Sequence, residues 1–271
     1  MLTNETYFSS ENQMKYMGTS QYKAFCKCEA AALAELRGEY VRPMSTALLV
    51  GSYVDAYYEG TLSQFETENP ALFKRDGTLK SEYQKADEII RRLESDALFS
   101  LLMSGEKQVI RTGEIAGVAF KIKIDSLLNA KQCEEIARNF PETRDVFSFC
   151  DGAIVDLKCM KDMQDVWSDE EECRLPFVEA WGYDLQGAAY QAVEGNGLPF
   201  ILAVGTKEAE PNLAAITIHD ADLSARLTEM EYKLPRYRDI KLGLIAPDAC
   251  GHCAYCRRQK KLTRIVDYRL L

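Results

Sequence analysis

Apolar and polar positions along this chain change period several times, from two to about three and a half and back. Period two governs Lys107–Leu128, which reads as a β-hairpin turning near Gly117, and again GAIVDLKC, ending at Cys159. The runs PFILAVGTKE and PNLAAITIHD read as two further strands that close a sheet. Helical periodicity appears between them. A helix is predicted after Ser20, its plausible N-cap, with Tyr22, Phe25, Ala32, Leu33 and Leu36 as the apolar stripe. STALLVGSYVDAYYEG, opened by Ser45 or Thr46, is apolar almost all round and reads as a buried helix. Positions 61–80 carry turn signals and read as a connection. Positions 81–105 read as one or two helices with Ser81 and Asp96 as caps, and a short helix is expected between Asn129 and Cys150. The acidic stretch after Cys159 reads as a loop with a helical turn or more. It leads into a helix, FVEAWGYDLQGAAYQAVEG, ended by Gly195, and a last helix follows from Ala221 to Leu234.

Strand geometry turns two of these runs into chemistry. Side chains alternate between the faces of a strand. Phe120, Ile122 and Ile124 therefore share one face, and Lys121, Lys123 and Asp125 the other. In the second run Ala153, Val155 and Leu157 share one face, while Ile154, Asp156 and Lys158 share the other. If the strands pair, two carboxylates and one lysine converge. Carboxylates that close repel unless a cation lies between them, the arrangement of a Mg²⁺ site for phosphodiester hydrolysis. The plain alternative is an exposed ion pair at a strand end, which contributes little.

Composition narrows the classes. The chain has 271 residues, 46% of them hydrophobic, with no apolar run of membrane-spanning length and no basic-then-apolar leader. A cytoplasmic protein is expected, its nine cysteines reduced. The net charge of −9 argues against broad non-specific nucleic-acid binding but allows a local basic groove. Lys121, Lys123 and the run Arg257–Lys261 could line one; ordinary solvated charge explains each as well.

Cys250, Cys253 and Cys256 are spaced C-x₂-C-x₂-C, which wraps three thiolates around one centre. A fourth ligand must come from elsewhere, and Cys28 is the natural candidate; Cys26, two residues earlier, points to another helix face. Zinc competes, since His252 lies inside the motif. Cys133, Cys150, Cys159 and Cys173 show no ligand spacing. Asp55 stands in the middle of the buried helix and needs a partner or a cation.

Taken in order, these residues resemble the RecB-like branch of the PD-(D/E)XK nucleases, close to phage-type exonucleases of the exodeoxyribonuclease VIII kind. Asp125 and Asp156-Leu157-Lys158 match the D…D-x-K pattern. Gly51 and Asp55 fill a G-x-x-x-H pattern with Asp in place of His, and Gln186 and Tyr190 match a Q-x-x-x-Y motif on the following helix. The resemblance implies an α/β fold with a central mixed β-sheet flanked by helices. It implies one nuclease domain over residues 1–271, with the cysteine motif at 250–261 packing back on the N-terminal helix. It implies Mg²⁺- or Mn²⁺-dependent DNA exonuclease activity in a phage or recombination setting. The metal would be held by Asp125, Asp156, the Leu157 carbonyl and Asp55, with Lys158 handling the attacking water and Gln186 and Tyr190 orienting the strand or Lys158. In relatives one N-terminal and three C-terminal cysteines hold a [4Fe–4S] cluster, so Cys28, Cys250, Cys253 and Cys256 would do so here, with zinc as second choice. DNA and a single-strand annealing protein are the implied partners. Two other classes stay open: a catalytically silent DNA-binding or scaffolding protein that kept the fold, and an electron-transfer protein.

Overall fold

The computed structural model describes residues 2–42, 45–81, 83–169, 171–265, 267 and 269. The chain opens with helices α1 (Ser10–Lys15), α2 (Thr19–Lys27), α3 (Glu29–Leu36), α4 (Thr46–Glu59), α5 (Leu62–Glu68), α6 (Gln84–Glu94) and α7 (Ala97–Leu102). Strands β1 (Glu106–Ile115) and β2 (Val118–Asn129) form the expected hairpin, turning at Ala116–Gly117. Helices α8 (Ala130–Asn139) and α9 (Arg144–Phe147) separate it from β3 (Gly152–Met160). Then come the short strands β4 (Val166–Ser168) and β5 (Cys173–Leu175), and helices α10 (Phe177–Ala180) and α11 (Tyr183–Glu194). Strands β6 (Phe200–Thr206) and β7 (Leu213–Thr217), then α12 (Asp220–Lys241) and α13 (Ala254–Gln259), complete the chain.

Five strands make one sheet in the order β1–β2–β3–β6–β7. It is mixed: β3 and β6 are parallel, and the other pairs are antiparallel. The parallel pair follows from the helical crossover through α11, which a two-residue turn could not provide. Every residue of β6 is buried, as a strand covered on both faces requires. On one face Phe120, Ile122, Ile124, Ile154 and Leu202 pack with Tyr22, Phe25, Tyr190 and Leu234 from α2, α11 and α12. On the other, Val155, Leu157, Ile201 and Ala203 pack with Val54, Ile89, Leu93 and Ile136 from α4, α6 and α8. Full burial of one such side chain contributes about 1.5–3 kcal/mol.

Two irregularities position the site. Strand β2 pairs with β3 only from Ser126 to Asn129; before Ser126 the strands part, and Asp125 stands at the fork. The alternation also shifts there, since Ile124 and Leu128 lie in opposite cores although strict period two puts them together. The second is the close approach of α11 to β6. A Cβ on Gly187 would lie 2.8 Å from the Phe200 ring, so only glycine lets the helix settle this deep. Gln186, the preceding residue, is thereby carried down to the sheet.

Several elements differ from the sequence reading. The helix predicted after Ser20 starts at Thr19 with Gly18 as N-cap, and it breaks at Cys28, which is extended (φ −168°, ψ 107°). Helix α6 starts at Gln84 with Tyr83 as its N-cap, not at Ser81, while Asp96 does cap α7 by accepting from Phe99 N. The expected connection at 61–80 contains α5. The expected loop after Cys159 contains the β4–β5 hairpin. The helix before Gly195 is two helices, parted at Gly182 (φ +62°). The last long helix continues through Pro235 to Lys241. Among the described residues, no helix is long and apolar enough to cross a membrane.

Candidate active site and cysteine centre

Where β2 and β3 part, the Asp125 side chain takes over from the ladder. Its Oδ2 accepts a hydrogen bond from Leu157 N at 2.8 Å, and its Oδ1 lies 3.5 Å from Gln108 Nε2. Asp156, the next residue on β3, points to the opposite core and is almost fully buried. Its Oδ1 accepts from Gln186 Nε2 at 2.6 Å. Its Oδ2 is buried and receives no hydrogen bond of good geometry, but it is ion-paired with the Lys158 ammonium. Lys158 Nζ also donates to the Leu157 carbonyl at 3.1 Å. The D-x-K residues and Asp125 are thus brought to one place around the Leu157 peptide.

The electrostatics reflect this crowding. Burial raises the Asp156 carboxyl above its ordinary range, Lys158 opposes that, and Asp125 adds to it. Burial works against the Lys158 ammonium, but Asp156 and Asp125 outweigh it and hold its pKa above that of an ordinary lysine. Behind Asp156 runs a hydrogen-bonded chain: Gln186 Nε2 lies 3.2 Å from Tyr190 Oη, which donates to the Lys123 carbonyl at 3.0 Å. Burial keeps the Tyr190 phenol protonated far above its ordinary range, as a donor must be. Gln186 and Tyr190 therefore face Asp156 from α11, as their i, i+4 spacing allows.

Asp55 lies on α4, beside Asp125. The two line a cavity of about 10 Å³ with Glu59, Gln108 and Leu157, room for one small ion or water. Among the described residues nothing donates a hydrogen bond to the Asp55 carboxylate, and its pKa is pushed up to about 7 by burial and by Asp125. A nearly buried, unpartnered carboxylate beside a second carboxylate fits a hard divalent cation, whose charge would relieve both.

Cys28, Cys250, Cys253 and Cys256 meet at the ends of the chain, with all four Sγ atoms within 4.8 Å of one another. Cys28 Sγ lies 3.6 Å and Cys250 Sγ 3.9 Å from Cys256 Sγ. Backbone N–H groups turn inward, Cys253 N to Cys250 Sγ at 3.3 Å and Cys256 N to Cys253 Sγ at 3.4 Å. Such donors lower the pKa of the Cys250 thiol, while burial pushes that of Cys256 up. The break at Cys28 makes this possible, and a clamp fixes it. Glu29 takes Arg236 in a bidentate pair at 2.6 and 2.7 Å and accepts from Asp248 N, two residues before Cys250. Cys26 is exposed and near Tyr237 Oη, and His252 is turned to the Cys250 carbonyl, so neither joins the set.

Other expectations are corrected. Lys121 is no groove residue: it is buried and donates to the Tyr7 carbonyl, because the N-terminal segment covers that face of β2. Lys123 is half-buried and paired with Glu59 at 3.5 Å. The Arg257–Lys261 run lies on and just after α13, where Arg258 stacks on Tyr40. Three residues escaped the sequence reading: Glu59, Gln108 and Lys23. Glu59 lies one turn after Asp55, a spacing that could have drawn notice. The other two are brought in only by the tertiary fold, whereas Tyr183 falls on the same helix face as Gln186 and Tyr190 by its spacing alone.

A five-stranded mixed sheet flanked by helices, with D…D-x-K residues at a strand fork, defines the PD-(D/E)XK class of nuclease-like folds. Residues 18–134 and 143–259 match the family described as PDDEXK-like domain of unknown function (DUF3799), and the chain belongs to it. Among solved structures, the "Putative exonuclease" from Eubacterium rectale is 39% identical, with a TM-score of 0.85, over 98% of this chain and 96% of that one. No curated protein matches the chain. Family and fold together support a nuclease-like function acting on nucleic acid.

Proposed function

We propose that the whole chain is one metal-dependent DNA exonuclease domain, cytoplasmic and working in phage or recombination DNA processing, where a single-strand annealing protein would take its product. The observation that carries the reading is the convergence of Asp125, Asp156 and Lys158 around one peptide at the β2–β3 fork. Asp125, Asp156, the Leu157 carbonyl and Asp55 are the groups that would hold Mg²⁺ or Mn²⁺. When bound, such an ion polarises the phosphate and lowers the pKa of a coordinated water.

The rest is this chain's own work. Lys158, kept as an ammonium by its two carboxylates, donates to the attacking water and to the phosphate oxygens as negative charge builds there. Gln186 pins one oxygen of Asp156, and the other, paired with Lys158, would be shared with the cation. Tyr190 anchors Gln186 to the backbone of β2. Asp156 is buried and Lys158 half-buried, so the lysine is the part of the pair nearer the surface that a strand would meet.

The cysteine set supports a structural ion that staples the first helices to the C-terminus. One ion with four sulfurs at about 2.3 Å sets them about 3.8 Å apart, close to the 3.6 and 3.9 Å seen. In a four-iron cluster each thiolate binds its own iron at a separate corner, so the core spreads the sulfurs further. The two separations thus favour a single zinc-like ion over the cluster that the resemblance implies.

Incubation with end-labelled linear DNA and with covalently closed circles tests the activity. Mg²⁺-dependent loss of label from the linear molecule alone supports an exonuclease. A protein that binds both DNAs and cuts neither is the silent alternative.

A further inference from the structure

Lys23 lies on α2, away from every motif described above, yet it ends beside the acidic site. Its Nζ donates to the Trp181 carbonyl at 3.0 Å and lies 5.4 Å from the centre of the Tyr183 ring. Lys158 Nζ lies 6.0 Å from the same ring. Two ammonium groups therefore share one aromatic ring at the mouth of the site. Like charges repel, and the fold holds them together all the same. The turn between α10 and α11 is shaped for it. Gly182 adopts φ +62°, and a Cβ there would come within 3.3 Å of the Lys23 side chain. Glycine leaves the path along which the lysine stem crosses the turn.

Lys23 is sparsely held, as Lys121 is, with one carbonyl each. Two other lysines drawn into the fold have more partners. Lys241 donates to Gln13 O, Tyr16 O and Gln21 Oε1, and Lys207 to Ala47 O and Cys159 O. Among the described residues Lys23 has one polar partner, a carbonyl, and no ion pair, although an ammonium carries three donors. Burial and Lys158 both disfavour its charge and lower its pKa to about 8. Asp156 and Asp184 favour the charge in turn, and the exposed Nζ, beside a second ammonium at the mouth of the site, stands where a phosphate could bridge the two. Trp181, whose carbonyl Lys23 holds, leaves half of its surface exposed. An exposed indole next to a free ammonium matches a nucleotide unit, with phosphate on the cation and base on the ring. In a chain of net charge −9, such a local cation is also where a strand would be drawn.

We infer that Lys23, with Tyr183 and Trp181, forms a subsite for a phosphate and an unpaired base of the DNA strand beside the bond that is cut. The inference rests on the nuclease reading for its substrate, but Lys23 acts in binding and the test separates the two.

The chain has two tryptophans, so Trp167→Phe leaves Trp181 as the only one. In that background, Asp156→Asn blocks cleavage and allows titration with a single-stranded oligonucleotide, a blunt duplex and inorganic phosphate, read by Trp181 fluorescence. The oligonucleotide should change the emission, and phosphate alone should not. Lys23→Gln should weaken oligonucleotide binding about tenfold at low salt and lower the slope of log affinity against log salt by about one, while Lys23→Arg restores both. In the Trp167→Phe enzyme with Asp156 intact, Lys23→Gln should raise KM for DNA and leave kcat within a few-fold. Equal affinity and equal salt slope for Lys23→Gln, or emission unmoved by the oligonucleotide, overturns the subsite even if the wild type cuts DNA. Competition by inorganic phosphate at the oligonucleotide's own concentration overturns the strand assignment. Lys23-dependent binding in a wild type that cuts nothing upholds the subsite and removes the nuclease reading instead.

Discussion

Asp125 Oδ2 accepts the Leu157 N–H at 2.8 Å, a side-chain bond made where the β2–β3 ladder has just ended. One residue thus closes a backbone donor and presents a carboxylate. Its two duties come apart by substitution. Asp125→Ala leaves a part-buried N–H unpaired and should lower stability by about 1–3 kcal/mol as well as abolish activity. Asp125→Asn keeps an acceptor for Leu157 and should hold most of the stability while activity is still lost. Thermal unfolding beside a cleavage assay reads both, and an Asn variant as unstable as the Ala variant contradicts the bond's role.

Tyr190→Phe removes the donor to the Lys123 carbonyl but keeps the edge contact with Phe200. Because Gln186 then loses its anchor and Asp156 its orientation, cleavage or metal affinity should fall about 10–100-fold with the fold retained. Gly187→Ala should act more broadly, since its methyl meets the Phe200 ring; a loss of about 1–3 kcal/mol is expected. Circular dichroism and melting curves distinguish the two effects.

The metal-free protein should lose stability as pH rises from about 4 to about 7. Asp55 is raised from 3.8 unfolded to about 7 folded, so the native state binds the extra proton between those values. That contribution is complete below about pH 4 and is gone above about pH 7. Asp55→Asn should flatten this limb in protein freed of divalent cations, and Mn²⁺ should stabilise the wild type more than the variant. An identical pH profile for both proteins contradicts the assignment of Asp55.

The cysteine centre predicts one equivalent of zinc per chain and a colourless protein, measured by elemental analysis after anaerobic purification. Cys28→Ser should release the ion and cost a few kcal/mol, because Cys28 and Cys256 close a loop of 228 residues. Brown protein with about four irons per chain contradicts the single-ion site.

Much of this was legible in the residues. The strand runs exposed Asp125, Asp156 and Lys158 because period two is strong there, and the cysteine spacing pointed to Cys28 across the whole chain. What local pattern could not show are the places where tertiary contacts override it. No glycine or proline marks the break at Cys28; the Glu29–Arg236–Asp248 clamp and the cysteine set hold it. The shift of alternation at Asp125 has no sequence signal, since it comes from two strands diverging. Lys121 reads as a surface lysine until Tyr7 is folded over it. Lys23 looked like an ordinary polar position of an amphipathic helix, and only the turn at Gly182 brings it to the site.

The central claim is that Asp156 and Lys158 make this fold a working, metal-dependent nuclease. Release of nucleotides from end-labelled linear DNA, measured for the wild type, Asp156→Ala and Lys158→Ala with Mg²⁺ and with excess chelator, tests it most directly. The wild type should digest linear DNA and spare closed circles, only with the metal, and each variant should be slower by several orders of magnitude, because the groups act as a unit. Digestion that persists in chelator, or that survives both substitutions, would contradict it.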